Sequence, residues 1–267
     1  MRKRQIAVLI PSYKPAEYLN KCLGSLESQT LQKNKFKVYV ALNGPKKNYE
    51  KYIKKLLNTY TFESEYVYIK QASVSNARNK LLDISVEPFI AFIDDDDIIS
   101  KNYLEELMAV SDKFIIGISN SYTFTVESNK FEENFIGKSF ARLDNTETSL
   151  FKVRKFFSPP WAKLISREII KDIRFDAKIS IGEDSLFMSK ISPNVKGIKK
   201  VIDCKACYYV NNRLGSATRK KLYRMNEIRR VIYLLSQYFV MFLDEKYNRI
   251  FILTRIMATI KHHLFKI

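Results

Sequence analysis

Up to Ser100 the apolar positions alternate between two periods. Ile6–Ile10 is an unbroken apolar run stopped by Pro11, the pattern of a strand covered on both faces. Leu19, Cys22, Leu23 and Leu26 then recur at i, i+3, i+4 and i+7, one face of a helix. Lys37–Leu42 is rich in strand formers and ends at the turn signal Asn43-Gly44-Pro45. Tyr49, Tyr52, Ile53, Leu56, Leu57 and Tyr60 predict a second helix, and Glu65–Lys70 a third strand. Ser73 is placed to cap a helix carrying Val74, Ala77 and Leu81. Pro88–Ile93 predicts a fourth strand, and Ser100 is placed to cap the helix of Leu104, Leu107 and Met108.

Strands alternating with helices predict an α/β fold, a mostly parallel sheet with helices on both sides. Ligands of such sheets bind outside the carboxyl ends of the strands. That rule gathers Ser12–Lys14, Asn43–Pro45 and Asp94–Asp97 on one rim. Beyond residue 115 the periods shorten and loosen. Lys220–Ile267 has no Gly or Pro and reads as helical.

Composition adds one surprise. The formal net charge is +18, which favours a polyanionic partner or an acidic substrate. Yet Phe92–Ser100 reads FIDDDDIIS, four adjacent carboxylates directly after an apolar run. Each close pair repels by ~1 kcal/mol at ~4 Å even in bulk water. A positive group is therefore expected beside them. One reading is a hard divalent cation, Mn²⁺ or Mg²⁺, which takes oxygen ligands and shares them with substrate phosphates. Strand alternation would then turn Asp94 and Asp96 to one side, and Asp95 and Asp97 to the other. The other reading is an acidic turn ahead of a helix N-terminus.

The order of motifs decides between them. VLIPSYKPAEYLNKCLGSLESQT, SVSNARNK, FIDDDDII, WAKLISREII, IRFDAKISIGEDSLFMSKI and YYVNNRLGSAT occur in that sequence along the chain. Together they resemble the family 2 inverting glycosyltransferases of the GT-A fold, bacterial cell-surface polysaccharide type, over roughly Ile6 to Thr218. The resemblance, with the composition of the tail, divides the chain into three expected regions. Residues 1–98 are the nucleotide-sugar-binding half of a GT-A domain, 99–218 the acceptor-binding half of the same domain, and 219–267 a basic C-terminal helical segment. It also implies transfer of a sugar from a nucleoside-diphosphate sugar, UDP-linked by expectation, to a glycan or lipid-linked acceptor, as in capsule or lipopolysaccharide synthesis.

Residue roles follow from the same resemblance. Asp96, with Asp94, is the expected metal ligand, Asp94 also facing ribose or sugar, and Asp97 supports them. Pro11, Ser12, Tyr13, Asn43, Arg78, Asp94, Asp95, Arg213 and Ser216 are the expected donor contacts. Asn79 is read with Arg78 at the donor diphosphate or ribose, and Arg78 admits a second reading, as an anchor of the loop. Asp184 is the expected general base, flanked by Glu183, which with Trp161 faces the acceptor. Trp161 reads equally as core. Two departures stand out: Lys14 replaces the family's Asn after Tyr, and no acid occurs between Glu27 and Glu50 to read a nucleotide base, leaving the amide of Asn43.

The remaining features narrow the choice. The two histidines, His262 and His263, are neighbours near the end, so a histidine-based site is not expected. Cys204 and Cys207 form a C-x-x-C in a strand-like stretch and read as buried small residues. Three cysteines suit a reducing compartment. No apolar run reaches the ~20 residues of a membrane span; Val231–Leu243 contains Ser and Gln. A cytoplasmic protein is expected. Lys220–Ile267 carries ten basic and three acidic residues, a net +7. Its apolar face, with Ile228, Val231, Ile232 and Leu235, packs on the domain or lies on an anionic inner membrane surface. The rivals are a non-catalytic sugar-binding relative, a nucleotidyltransferase and a nucleic-acid-binding protein. The nucleotidyltransferase lacks its Gly-rich loop in PSYKPAEY. No nucleic acid is expected, because the acidic rim would repel phosphate unless loaded with metal.

Overall fold

The computed structural model describes residues 5–125, 130–202, 205–212 and 224–264. The alternating periods become β1 (Ile6–Ser12), α1 (Glu17–Glu27), β2 (Phe36–Asn43), α2 (Lys47–Leu57), β3 (Ser64–Ile69), α3 (Val74–Ile84) and β4 (Phe89–Phe92). These strands pair in parallel in the order β3-β2-β1-β4. Their period-two faces separate cleanly. Ile6, Val8 and Ile10 join Leu19, Leu23 and Leu26 of α1 in one apolar layer, whereas Ala7 and Leu9 join Ala77 and Leu81 of α3 in the other. Every residue of β1 is buried, as an unbroken apolar run requires.

From β1 the chain steps outward to β2 and β3, then returns to place β4 on the other side of β1. This reversal opens a crevice at the carboxyl ends of β1 and β4. Ser12 and the four aspartates meet there.

The sheet then continues with strands too short to show a period in sequence. β5 (Ile98–Ile99), α4 (Tyr103–Val110), β6 (Ile115–Ile118), β7 (Asn120–Thr125), β8 (Lys130–Glu133), α5 (Phe135–Phe140) and β9 (Thr146–Glu147) come first. They are followed by β10 (Lys163–Ser166), α6 (Arg167–Ile170), α7 (Glu183–Ile191), β11 (Gly197–Lys200) and β12 (Cys207–Asn211). β10 pairs antiparallel with β4 and extends the large sheet through β6, β11 and β9. A second sheet runs β5-β12-β7-β8. Because β5 begins directly after Asp97 and pairs with β12, the acidic turn is clamped between the two sheets.

One cap differs from expectation. Ser73 caps α3, accepting from Asn76 N at 3.2 Å. Ser100 does not cap α4, which starts after Asn102; its hydroxyl accepts from Cys207 N at 3.0 Å and fastens β12 to the turn. The requirement of the second sheet outweighs the local preference of a serine before a helix.

The basic tail forms α8 (Arg224–Leu243) and α9 (Arg249–Leu264). Val231, Leu234, Tyr238 and Met241 make the buried stripe of α8, and Phe251, Ile252 and Arg255 that of α9. Among the described residues no helix is long and apolar enough to cross a membrane.

Candidate functional site

Asp94–Asp97 form a turn, and its side chains divide as strand alternation would divide them. Asp95 and Asp97 are buried, while Asp94 and Asp96 are only partly covered. Asp95 accepts from the Ser12 hydroxyl at 2.6 Å, which ties β4 to β1 across the crevice. Asp97 accepts from Asn211 N at 2.8 Å. Burial, then the charges of Asp94 and Asp96, push the Asp97 carboxyl well above its ordinary range, against that hydrogen bond. Asp94 N donates to the Tyr208 hydroxyl at 3.1 Å, so β12 grips both ends of the turn.

One positive neighbour of the turn is a residue of the chain, which bonds Asp94. Arg78 lies in the second turn of α3, with 3 % of its side chain exposed. Its Nη2 donates to Asp94 Oδ1 at 2.9 Å and its Nη1 to Asp184 Oδ1 at 2.5 Å; Glu183 Oε1 is 3.9 Å from Nη1. Burial opposes the guanidinium charge, but the three carboxylates outweigh it and push its pKa upward. Arg78, expected as a donor contact or a loop anchor, joins two acidic motifs from different parts of the chain. Asn79 is engaged elsewhere: its amide donates to Phe175 O at 2.9 Å and accepts from Phe175 N at 2.7 Å.

Glu183 and Asp184 open α7, after Gly182 with φ +92°. That left-handed conformation favours glycine, and a Cβ there would lie 2.9 Å from Leu234 Cδ1 of α8. The tail helix therefore packs directly on this turn. Arg230 Nη1 donates to Ile181 O at 3.3 Å, and Ser185 Oγ lies 2.9 Å from the Tyr238 hydroxyl. Asp184 keeps 27 % of its side chain open and Glu183 only 9 %. Of this pair, Asp184 is the more open.

Burial raises the Glu183 carboxyl from 4.5 to about 8; the Asp184 charge adds to the rise and Arg78 opposes it. Between those two values the folded chain holds a proton that the unfolded chain has lost. Stability should therefore fall as pH rises through this window. Glu183→Gln is expected to flatten the melting-temperature profile between pH 4.5 and 8. A slope identical to that of the parent chain in scanning fluorimetry would show that Glu183 ionises normally.

The other expected contacts are distributed as follows. Pro11 and Ser12 are buried at the end of β1, and Tyr13 stands 45 % exposed on the rim, its ring against Gly44. Asn43, expected to meet a base edge, is 4 % exposed. Its amide donates to Ser12 O at 2.8 Å and accepts from Ser73 N at 3.0 Å, so it fastens β1 to the start of α3. Arg213, Ser216 and Cys204 lie outside the described residues. Cys22 is buried, and its Sγ lies 3.7 Å from Asp94 O.

Two residues were missed in the sequence. Lys163 is 2 % exposed, and its Nζ donates to Pro159 O and Trp161 O, both at 2.7 Å. Burial lowers its pKa to about 7, with Asp184 opposing and Arg255 adding. It braces a loop in which Ala162 has φ +57°. The Trp161 ring, partly buried against both apolar layers, stacks on Tyr208 at 5.0 Å and 10°. Tyr208 thus touches the acidic turn on one side and Trp161 on the other. The available signal was a lysine inside an otherwise apolar strand, WAKLIS, which burial makes costly without partners.

A helix-flanked sheet with its crevice at the β1/β4 reversal, and a carboxylate turn at that crevice, defines the GT-A class of fold. The chain belongs to glycosyl transferase family 2, whose family model, "Glycosyl transferase family 2", matches residues 7–174. It is 27 % identical over 225 residues to "Glycosyltransferase GlyA" of Streptococcus pneumoniae serotype 4, covering 80 % of this chain and 32 % of the relative. It is 24 % identical over 213 residues to "Poly(ribitol-phosphate) beta-N-acetylglucosaminyltransferase TarS" of Staphylococcus aureus, covering 79 % of this chain and 36 % of the relative. The chain therefore spans about a third of the length of these curated relatives. Among solved structures, S. aureus TarS 1-349 in complex with UDP-GlcNAc superposes with a TM-score of 0.77 at 20 % identity, covering 96 % of this chain and 72 % of that one. The mannosyltransferase PcManGT from Pyrobaculum calidifontis, in complex with GDP-Man and Mn2+, gives 0.60 at 12 %, covering 97 % and 69 %. These two likenesses are of fold.

Proposed function

We propose that the chain transfers a sugar, with inversion and with a divalent cation, from a nucleoside-diphosphate sugar to a hydroxyl of a glycan or lipid-linked acceptor in cell-surface polysaccharide synthesis. A uridine nucleotide is the expected donor. The observation that carries this reading is the Arg78 bridge between Asp94 at the crevice and Asp184 at the head of α7. It holds a donor-side acid and an acceptor-side acid in one rigid unit, and alignment of the reacting groups is a large part of catalysis. The family, and the transfer activities named for GlyA and TarS, support the reaction class. UDP-GlcNAc in the TarS structure and GDP-Man in PcManGT support the donor class.

Asp96 and Asp94 suit Mn²⁺ or Mg²⁺: they are hard oxygen donors on the more open side of the turn, whereas Asp95 and Asp97 are buried. When bound, the cation supplies charge stabilisation to the departing diphosphate. The chain's residues do the rest. The acceptor hydroxyl forms its bond to the anomeric carbon as the bond to the diphosphate oxygen breaks on the opposite face, and Asp184 takes the hydroxyl proton. Tyr13 offers an aromatic face to the base at the rim, and Trp161 lines the acceptor side.

Incubation with UDP- and GDP-linked sugars, with and without Mn²⁺, should release nucleoside diphosphate only with the metal and faster with acceptor. Absence of both release and any sugar-nucleotide thermal shift would overturn the reading. Asp96→Ala should leave the melting temperature nearly unchanged and weaken metal-dependent donor binding. The loss should be at least that of an outer-shell partner, about 10–100-fold. Unaltered metal-dependent binding in calorimetry would remove Asp96 from the site.

A further inference from the structure

The inner stripe of α8 holds the Glu183–Asp184 turn, but the outer side of the tail is also apolar. Met225, Ile232 and Phe239 recur every seventh residue along α8, and Ile250, Leu253 and Met257 follow the same face of α9. All six are between 47 and 64 % exposed. They form two helical stripes opposite the buried ones, so both helices are apolar on two sides. Core packing accounts for only one side.

Charge identifies what suits the other. Arg229 on α8 and Arg249 at the start of α9 are exposed beside these stripes. The tail segment carries a net +7 in a chain of +18; of its basic residues, Arg255 is buried and Arg230 pairs with Glu227. A second copy would bring like charge onto like charge across the face. An anionic leaflet instead attracts the basic residues while its acyl boundary accepts the apolar ones, the combination that interfacial helices use.

We propose that the outer face of α8 and α9 docks on an anionic lipid surface. The docking goes beyond sugar transfer and stands whether or not that reaction occurs. Because a helix is only about 10 Å across, the bilayer would lie roughly one helix diameter from the Asp184 turn that the other side of α8 supports.

Flotation of the full chain with phosphatidylcholine vesicles, with and without phosphatidylglycerol, tests this directly. Binding is expected only to the anionic vesicles and should weaken with salt. Arg229→Ala and Arg249→Ala should each weaken it about fivefold. Ile232→Asp combined with Met257→Asp should abolish it while the melting temperature stays near that of the parent, since both side chains already face outward. Failure to bind anionic vesicles at low salt overturns the proposal. So does undiminished binding by the two-site aspartate variant, which would assign attraction to overall charge. Self-association by light scattering that this variant abolishes, without vesicle binding, would make a second copy the occupant. Nucleoside diphosphate release, measured on the same samples, reports separately on the transfer reaction.

Discussion

Arg78→Ala is expected to be the most damaging single substitution at the crevice. It leaves Asp94 and Asp184 without the cation that bonds both, with Glu183 3.9 Å from the vacated position of Nη1. Breaking a buried pair by removing one partner costs about 3–5 kcal/mol. In a chain of this size that lowers the melting temperature on the order of 10 °C. The deficit should shrink as pH falls into the carboxylate range, because protonated acids no longer repel one another. Arg78→Lys keeps the charge but replaces the planar fork by one ammonium, which cannot reproduce two separate nitrogen–carboxylate bonds. It should rescue stability only in part, with turnover still low. Thermal melts across pH, paired with nucleoside diphosphate release, check both statements. A parent-like melt for Arg78→Ala would show that the two acidic motifs do not depend on it.

Asp184→Asn should act on rate rather than on binding. The amide is close to isosteric and its oxygen still accepts from Arg78, so the fold and the donor crevice are preserved. It cannot take a proton at neutral pH. Loss of general-base help is worth about 10²–10⁴ in rate. In the parent chain, burial raises the Asp184 carboxyl above its ordinary value; Arg78 and Lys163 oppose the shift and Asp94 adds to it. The base works only when ionised, so parent turnover should climb with pH through that raised value and then level off. The variant should lack this rising limb. Donor affinity measured by calorimetry is expected to stay within a factor of a few of the parent. Near-normal turnover in Asp184→Asn would exclude it as the base.

The contrast between these two residues shows how far the sequence could be read. The expected role of Asp184 rests on the resemblance carried by motif order, IGEDSLF after WAKLIS. Its position beside Arg78, 106 residues earlier, carried no signal in either segment. Arg78 itself was found as a residue of interest but not as a bridge. Asn43 shows the same limit. A polar side chain after a strand at a binding rim reads as a ligand contact, yet its amide joins β1 to α3. Lys163 and Tyr208 were overlooked because each acts through a neighbour, Trp161 or the backbone of Asp94.

By itself, the sequence determined the helix-clad parallel half of the sheet, the rim that gathers Ser12 and the aspartates, and the helical nature of the tail. Those features follow from periods of apolar residues a few positions apart, and burial of a face demands them locally. Tertiary structure alone decided that Arg78 bridges Asp94 to Asp184, that Asn211 and Tyr208 of β12 hold the turn, and that α8 supports the Glu183–Asp184 turn. Such pairings join positions distant along the chain. Their geometry exists only after two sheets and the tail helices have closed on one another, so no local pattern encodes it.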